Sequence, residues 1–129
     1  MLPHERLSKV YNHALTVGVE ALSIGERELY LIQDFIIELE MGGLSGYFYN
    51  RLPIKNHIPA AVSAMRKYGL GDLAVLLSEA SLLLGEFSET DVASTWSEFL
   101  HRRDPGNRLA DIEKSIAAIE DYGIDGSQI

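Results

Sequence analysis

The sequence GGLSGYFYN, residues 42–50, follows a strongly apolar helical pattern and breaks it. It begins with two adjacent glycines, Gly42 and Gly43, which accept backbone angles that other residues avoid. This order predicts a sharp reversal of the chain at which Gly42 or Gly43 has a positive φ. The aromatic rings that follow should pack the reversal onto the core, and the asparagine should hydrogen-bond to loop or helix-end backbone. These residues are Tyr47, Phe48, Tyr49 and Asn50.

The segments on either side of this stretch carry apolar residues at helical spacing, and none has the sustained alternation of a strand. They predict an all-α protein, a single compact bundle of about six helices that occupies residues 1–129 as one domain. The glycine pair should stop the second helix, Pro59 should begin the third, and Gly69 should stop it. The predicted helices cover about residues 7–22, 29–39, 59–68, 72–84, 88–100 and 104–122.

The fourth predicted helix is apolar on most of its surface, so we expect it to be the central and most buried one. The fifth opens with Ser88 three residues before Asp91, and the sixth opens with Asp104 and Pro105; both are capping patterns. On these three helices the phase of the apolar residues predicts a largely buried set. Its members are Leu76, Leu77, Leu83, Trp96, Phe99 and Ile116.

The composition excludes several kinds of functional site. There is no cysteine, and the four histidines are scattered without metal-ligand spacing, so we expect neither a metal nor a cofactor. The sequence has neither a phosphate-binding loop nor a nucleophile elbow, so we expect no enzymatic activity. No secretory signal and no apolar run long enough to cross a bilayer is visible, which predicts a soluble, cytoplasmic protein.

The net charge of −8 is confined to one half of the chain. Residues 1–68 hold seven acidic and seven basic residues, whereas residues 69–129 hold twelve acidic and four basic residues. Nucleic acid and anionic lipid bind through Lys and Arg, so this half should bind neither of them. It should instead attract a basic partner.

Several acidic residues of this half recur every seven residues, nearly two helical turns, and so line one face of a helix. They have no basic residue three or four positions away that could compensate their charge. This pattern predicts an acidic partner-binding face, although the solvent-facing positions of any amphipathic helix recur in the same way. The predicted face consists of Asp72, Glu79, Glu86, Glu89, Asp91, Glu113 and Glu120.

Residues 42–50 also resemble a known motif. The glycine pair followed by Tyr-Phe-x-Asn is similar to the Asn-Gly-Gly-Phe-x-Gln-Tyr-Phe-x-Asn signature of an all-α bacterial family. That family was first described as a domain of unknown function, and it includes a proposed DNA-mimic protein. The likeness extends over about residues 28–123. The matching positions are Gly42, Gly43, Tyr47, Phe48 and Asn50, whereas Met41, Leu44 and Gly46 replace the family's Asn, Phe and Gln.

Charge and resemblance together favour a non-enzymatic, DNA-mimic-like binding module that occupies the basic surface of a DNA-binding protein. One alternative is an immunity or antitoxin-type protein that blocks a basic toxin, which would need exposed Tyr or Trp side chains besides the charge. Another is a small-molecule-binding protein with a pocket at the Gly-aromatic turn. A homodimer is left open.

Overall fold

The computed structural model describes residues 3–85 and 95–119, and in these ranges it contains six α-helices and no strand. A short 3-10 helix, Val19–Ala21, connects the first two helices. Consecutive helices from the first to the fourth pack against each other, and the sixth packs against both the second and the fourth. The helices are α1 (Pro3–Val17), α2 (Ile24–Arg51), α3 (His57–Lys67), α4 (Gly71–Leu84), α5 (Trp96–Arg103) and α6 (Arg108–Ala117).

A glycine corner divides α2 into two helical segments, residues 24–42 and 44–51. Gly43 has φ 68° and ψ −171°, a conformation essentially restricted to glycine. Asp34 and Arg51 would lie about 25 Å apart along a straight helix with a rise of 1.5 Å per residue. Their side chains are instead 2.7 Å apart, so the second segment folds back beside the first. The predicted positive φ is confirmed at Gly43. The prediction that the second helix ends at the glycine pair is wrong, because the chain turns a corner at Gly43 and the helix resumes at Leu44.

The aromatic residues after the corner divide between core and surface. Tyr47 and Phe48 are fully buried, and the Tyr47 ring meets Phe35 edge-on at 4.8 Å between centroids. Tyr49 is 58% exposed and packs edge-on against Trp96 at 5.6 Å. The prediction of a three-ring plug is therefore wrong for Tyr49, because the helical segment 44–51 directs successive side chains to different sides.

The fourth helix is less buried than its composition predicts. Its inner face packs among α3, α5 and α6, but Val75 and Leu82 lie on the opposite face, where they are 52% and 84% exposed. Among the described residues the bundle covers this helix on one side only, so the prediction that it is the central and most buried helix is wrong. Of the six side chains predicted to be buried, Leu77, Phe99 and Ile116 are fully buried, while Leu76, Leu83 and Trp96 are partly buried at the edge of the core.

The last two helices begin later than the sequence suggests. The Thr95 hydroxyl accepts a hydrogen bond from the Glu98 N–H at 3.2 Å and caps α5; the predicted cap Ser88 lies outside the described residues. Both carboxylate oxygens of Asp104 accept hydrogen bonds from the N–H groups of Arg108 and Leu109, at 2.7 and 2.8 Å. Asp104 therefore caps α6 as expected, from four residues before its first residue.

The two adjacent glycines should respond differently to the same substitution. Gly43→Ala should lower the free energy of unfolding by about 1–3 kcal/mol, because it places a side chain at positive φ. The new Cβ would also lie 2.5 Å from Glu113 Oε1. Gly42→Ala is the matched control, since nothing apart from the neighbouring backbone lies within 4 Å of its Cβ position; it should be neutral or stabilising by about 0.5–1 kcal/mol. Urea denaturation measures both, and equal effects would contradict the corner geometry.

Candidate functional site

The predicted acidic face is partly visible in the structure. Asp72 lies in the first turn of α4 and Glu79 two turns later on the same side, and both side chains are exposed. Neither makes an ion pair or hydrogen bond with another described residue. The other members divide into Glu113 on α6 and four residues outside the described ranges. Those four are Glu86, Glu89, Asp91 and Glu120.

Glu113 turns toward the interior of the fold. Its Oε1 accepts a hydrogen bond from the N–H of Leu44, the first residue after the Gly43 corner, and its side chain is partly buried. A carboxylate at this position stabilises the exposed N–H groups and the positive end of the helical segment 44–51. Glu113 thus ties α6 to the corner of α2, a structural role that its spacing along the sequence did not indicate.

A buried ionic cluster joins the two segments of α2 and was not predicted. Asp34 is only 1% exposed, and it accepts two hydrogen bonds from the Arg51 guanidinium, at 2.7 and 2.8 Å. The same guanidinium donates to Glu38 Oε1 at 3.2 Å, and Asn50 Nδ2 donates to Glu38 Oε2 at 2.8 Å. Asn50 therefore bonds to a side chain, so the expected bond to backbone is wrong. His57 Nε2, at the start of α3, lies 3.3 Å from Asp34 Oδ2.

Favourable interactions within this cluster offset the free-energy cost of burying the Asp34 carboxylate. Burial by itself raises the pKa of Asp34, but the hydrogen bonds from Arg51 and the nearby His57 imidazole outweigh it and hold the pKa below its usual value. The hydrogen bond to Asp34 in turn raises the pKa of Arg51. Burial and the nearby Asp34 charge raise the pKa of Tyr47, so its phenol stays neutral. Near neutral pH an ionised Asp34 paired with Arg51 therefore holds the α2 hairpin closed.

One sequence signal could have revealed the cluster. Asp34 lies within the apolar run of the sequence around residues 29–39, nine residues before Gly43, and Arg51 lies eight residues after Gly43. If a chain reverses at Gly43, residues at nearly equal distances from the corner come side by side. An acid inside an apolar run that precedes such a reversal therefore predicts a base near the mirror position.

A cavity of about 400 Å³ lies at the Gly-aromatic turn, between the corner of α2 and helices α5 and α6. Three of the polar side chains that line it are engaged within the fold. Asp104 caps α6, Glu113 bonds to Leu44, and the Ser45 hydroxyl accepts from Trp96 Nε1 at 2.9 Å. Ser97, His101 and Asn107 also line the cavity, so the structure keeps the ligand-binding alternative open.

Two further searches of the described residues found no site. No group of three or more His, Asp or Glu side chains in residues 3–85 and 95–119 could hold a metal ion. Within the same part of the chain, no helix combines the length and the apolar character required to cross a membrane.

Asp34→Asn should remove a pH-dependent part of the stability. The Asp34 pKa is lower in the folded state than in the unfolded state, so the ionised carboxylate contributes fully above about pH 5. That contribution is lost as the pH falls through the folded-state pKa. The variant should be about 2–4 kcal/mol less stable than the parent near pH 7, because Arg51 loses its buried partner, and the deficit should shrink below about pH 4.

Urea denaturation across this pH range measures the effect. Glu40→Gln is the control, because Glu40 is an exposed acid on the same helix. A deficit for Asp34→Asn that stays constant with pH would contradict the assigned charge state.

The role of Glu113 can be separated from that of an exposed acid. Glu113→Ala should lower the free energy of unfolding by about 1–2 kcal/mol, because the Leu44 N–H loses its acceptor. Glu113→Gln keeps an acceptor oxygen and should be less destabilising. The exposed-site control Glu79→Ala should change stability by no more than about 0.5 kcal/mol. Equal thermal shifts for the two alanine variants would exclude a capping role for Glu113.

Comparison with known proteins identifies the family. A model of DMP19-like proteins matches residues 20–125, a range slightly longer than the predicted likeness over residues 28–123. The name refers to DNA mimic protein 19, in agreement with the DNA-mimic resemblance of residues 42–50. No curated protein and no solved structure matches the chain. With most of its length matched and its all-α fold as expected, the chain belongs to the DMP19-like family.

Proposed function

We propose that this protein is a non-enzymatic DNA mimic, whose acidic face occupies the basic surface of a DNA-binding protein. The observation that carries the proposal is the pair of exposed, uncompensated carboxylates of Asp72 and Glu79 on α4. They belong to the half of the chain that holds the whole net charge of −8. Membership of the DMP19-like family supports the same function.

Acidic residues of the N-terminal half provide a contrast. Glu28 pairs with Lys67 at 2.8 Å, and Asp34 and Glu38 both pair with Arg51. These carboxylates are paired with basic side chains of the protein, which weakens their external field. Asp72 and Glu79 have no such partner among the described residues, so their field extends into solvent, where it can attract Lys and Arg.

Such a field acts mainly on the rate of association and on specificity. Exposed charges are screened over about 8–10 Å near physiological ionic strength, so binding should weaken steeply as salt is added. A DNA-binding protein held at its DNA site should also be released by duplex DNA, because protein and DNA would compete for the same basic residues.

A second candidate is an immunity or antitoxin-type protein that blocks a basic toxin. The exposed Tyr49 ring, supported by Trp96, favours this candidate, because aromatic side chains of this kind serve as binding hot spots. A toxin held through Tyr49 need not be released by duplex DNA, and Tyr49→Ala should then weaken binding more than the removal of an acidic residue.

The experiment compares two double charge reversals of equal net charge. Glu79→Lys with Glu86→Lys alters the predicted face, and Glu20→Lys with Glu40→Lys alters exposed acids of the N-terminal half. DNA-binding proteins retained from a native lysate are eluted with a salt gradient or with duplex DNA, and the purified partner is then studied kinetically. The first variant should bind at least about tenfold more weakly, with slower association, and the second within about twofold of the parent.

Three results would count against mimicry. One is an equal loss of affinity in the two double variants, which would indicate a general charge effect. Another is an affinity that does not depend on salt. The third is a partner that duplex DNA does not displace; if Tyr49→Ala then abolishes binding, the toxin-blocking candidate is the better one.

A further inference from the structure

Four exposed side chains share one face of α4, and two of them are apolar. Asp72, Val75, Glu79 and Leu82 follow one another at intervals of three or four residues and fall within an arc of about 80° on a helix of 3.6 residues per turn. Val75 is 52% and Leu82 84% exposed. We call these four residues the α4 face. It alternates acid and apolar side chains along its length.

The apolar character continues beyond the helix at the Leu82 end. Leu82 lines a groove of about 560 Å³ together with Ile54 and Ile58, which come from the connection between α2 and α3 and from α3. Ile54 is itself exposed. Lys55 lies at the same groove, so a basic partner should place its apolar side chains here and its charges toward Glu79 and Asp72.

This face is a poor imitation of duplex DNA by charge alone. Asp72 and Glu79 lie about 10 Å apart along the helix, whereas duplex DNA carries one charge per about 1.7 Å of its axis. Val75 and Leu82 imitate no phosphate. Single exposed apolar residues are ordinary, but apolar side chains interleaved with acids beside a groove form a surface that gains from being covered.

The occupant must be basic. A second copy of the chain would bring the same carboxylates against Asp72 and Glu79, and each copy carries a net charge of −8. Like charges placed together in an interface oppose association. A partner with positive charges between apolar side chains satisfies both kinds of group on the face.

We infer that the α4 face binds a basic amphipathic helix, on which Lys or Arg alternates with apolar side chains at helical spacing. The sign of the partner's charge rests on the proposed function. The inference goes beyond that function because it assigns part of the affinity to Val75 and Leu82, and it separates partners of this kind from surfaces that carry charge alone.

Two synthetic helical peptides of equal length and equal positive charge serve as probes. One carries Lys with Leu between the charges, and the other carries Lys with Gln at the same positions. Each is titrated into the full chain at two salt concentrations, with NMR observation of the Val75 and Leu82 methyl groups. The Leu peptide should bind about tenfold more tightly and shift these methyl signals, because each buried methylene contributes free energy that charge does not replace.

Variants of the chain show which residues cause the preference for the Leu peptide. Leu82→Ser should abolish the preference for the Leu peptide at both salt concentrations. The matched control Leu15→Ser changes a leucine on α1 that is 68% exposed, and it should keep the preference. Glu79→Gln should weaken the binding of both peptides and reduce the dependence of that binding on salt. Thermal melts check that the variants fold, and Val75→Ser replaces Leu82→Ser if that variant does not.

Several outcomes would overturn the inference. These are equal binding of the two peptides, absence of binding by the Leu peptide, equal losses in Leu82→Ser and Leu15→Ser, or shifts confined to other helices. Dimerisation in sedimentation that Leu82→Ser abolishes would identify a second copy as the occupant and would also overturn it. Duplex DNA is absent from this assay, so failure here is distinct from failure of DNA competition in the test of the proposed function.

Discussion

The ion pair between Arg51 and Asp34 closes the hairpin on which the rest of the bundle is built. It connects two side chains that are seventeen residues apart, and it can form only because the chain reverses at Gly43. Breaking such a pair leaves a charge partly buried without its partner, which is strongly destabilising. The glycine supplies the geometry of the hairpin, and the ion pair restricts the chain to this one arrangement of its two segments.

The hairpin also joins the two halves of the molecule. Tyr47 and Phe48, which follow the corner, are buried in the core, where the Tyr47 ring packs edge-on against Phe35. Glu113 approaches the corner from α6 and caps the segment that begins at Leu44. The space for this carboxylate exists because Gly43 has no Cβ. One glycine therefore accounts for the reversal of α2 and for the docking of α6 against it.

The division of charge in the chain corresponds to a division of roles. On α2, Asp34 and Glu38 pair with Arg51 and Glu28 pairs with Lys67, and these ion pairs hold helical segments together. Asp72 and Glu79 on α4 have no such use within the described structure and lie on its surface beside Val75 and Leu82. A surface that combines uncompensated acids with exposed apolar groups is suited to a partner rather than to water alone. This contrast is the physical basis of the proposed function.

The sequence by itself determined the all-α class, the glycine corner and the confinement of negative charge to residues 69–129, because periodicity, glycine and net charge are local properties. Only the tertiary structure decided which side of a helix is covered. It placed Leu82 in solvent, Tyr49 at the surface and Glu113 against the corner, since each outcome depends on a distant neighbour. The pairing of Asp34 with Arg51 likewise became visible only after the reversal at Gly43 had brought them together.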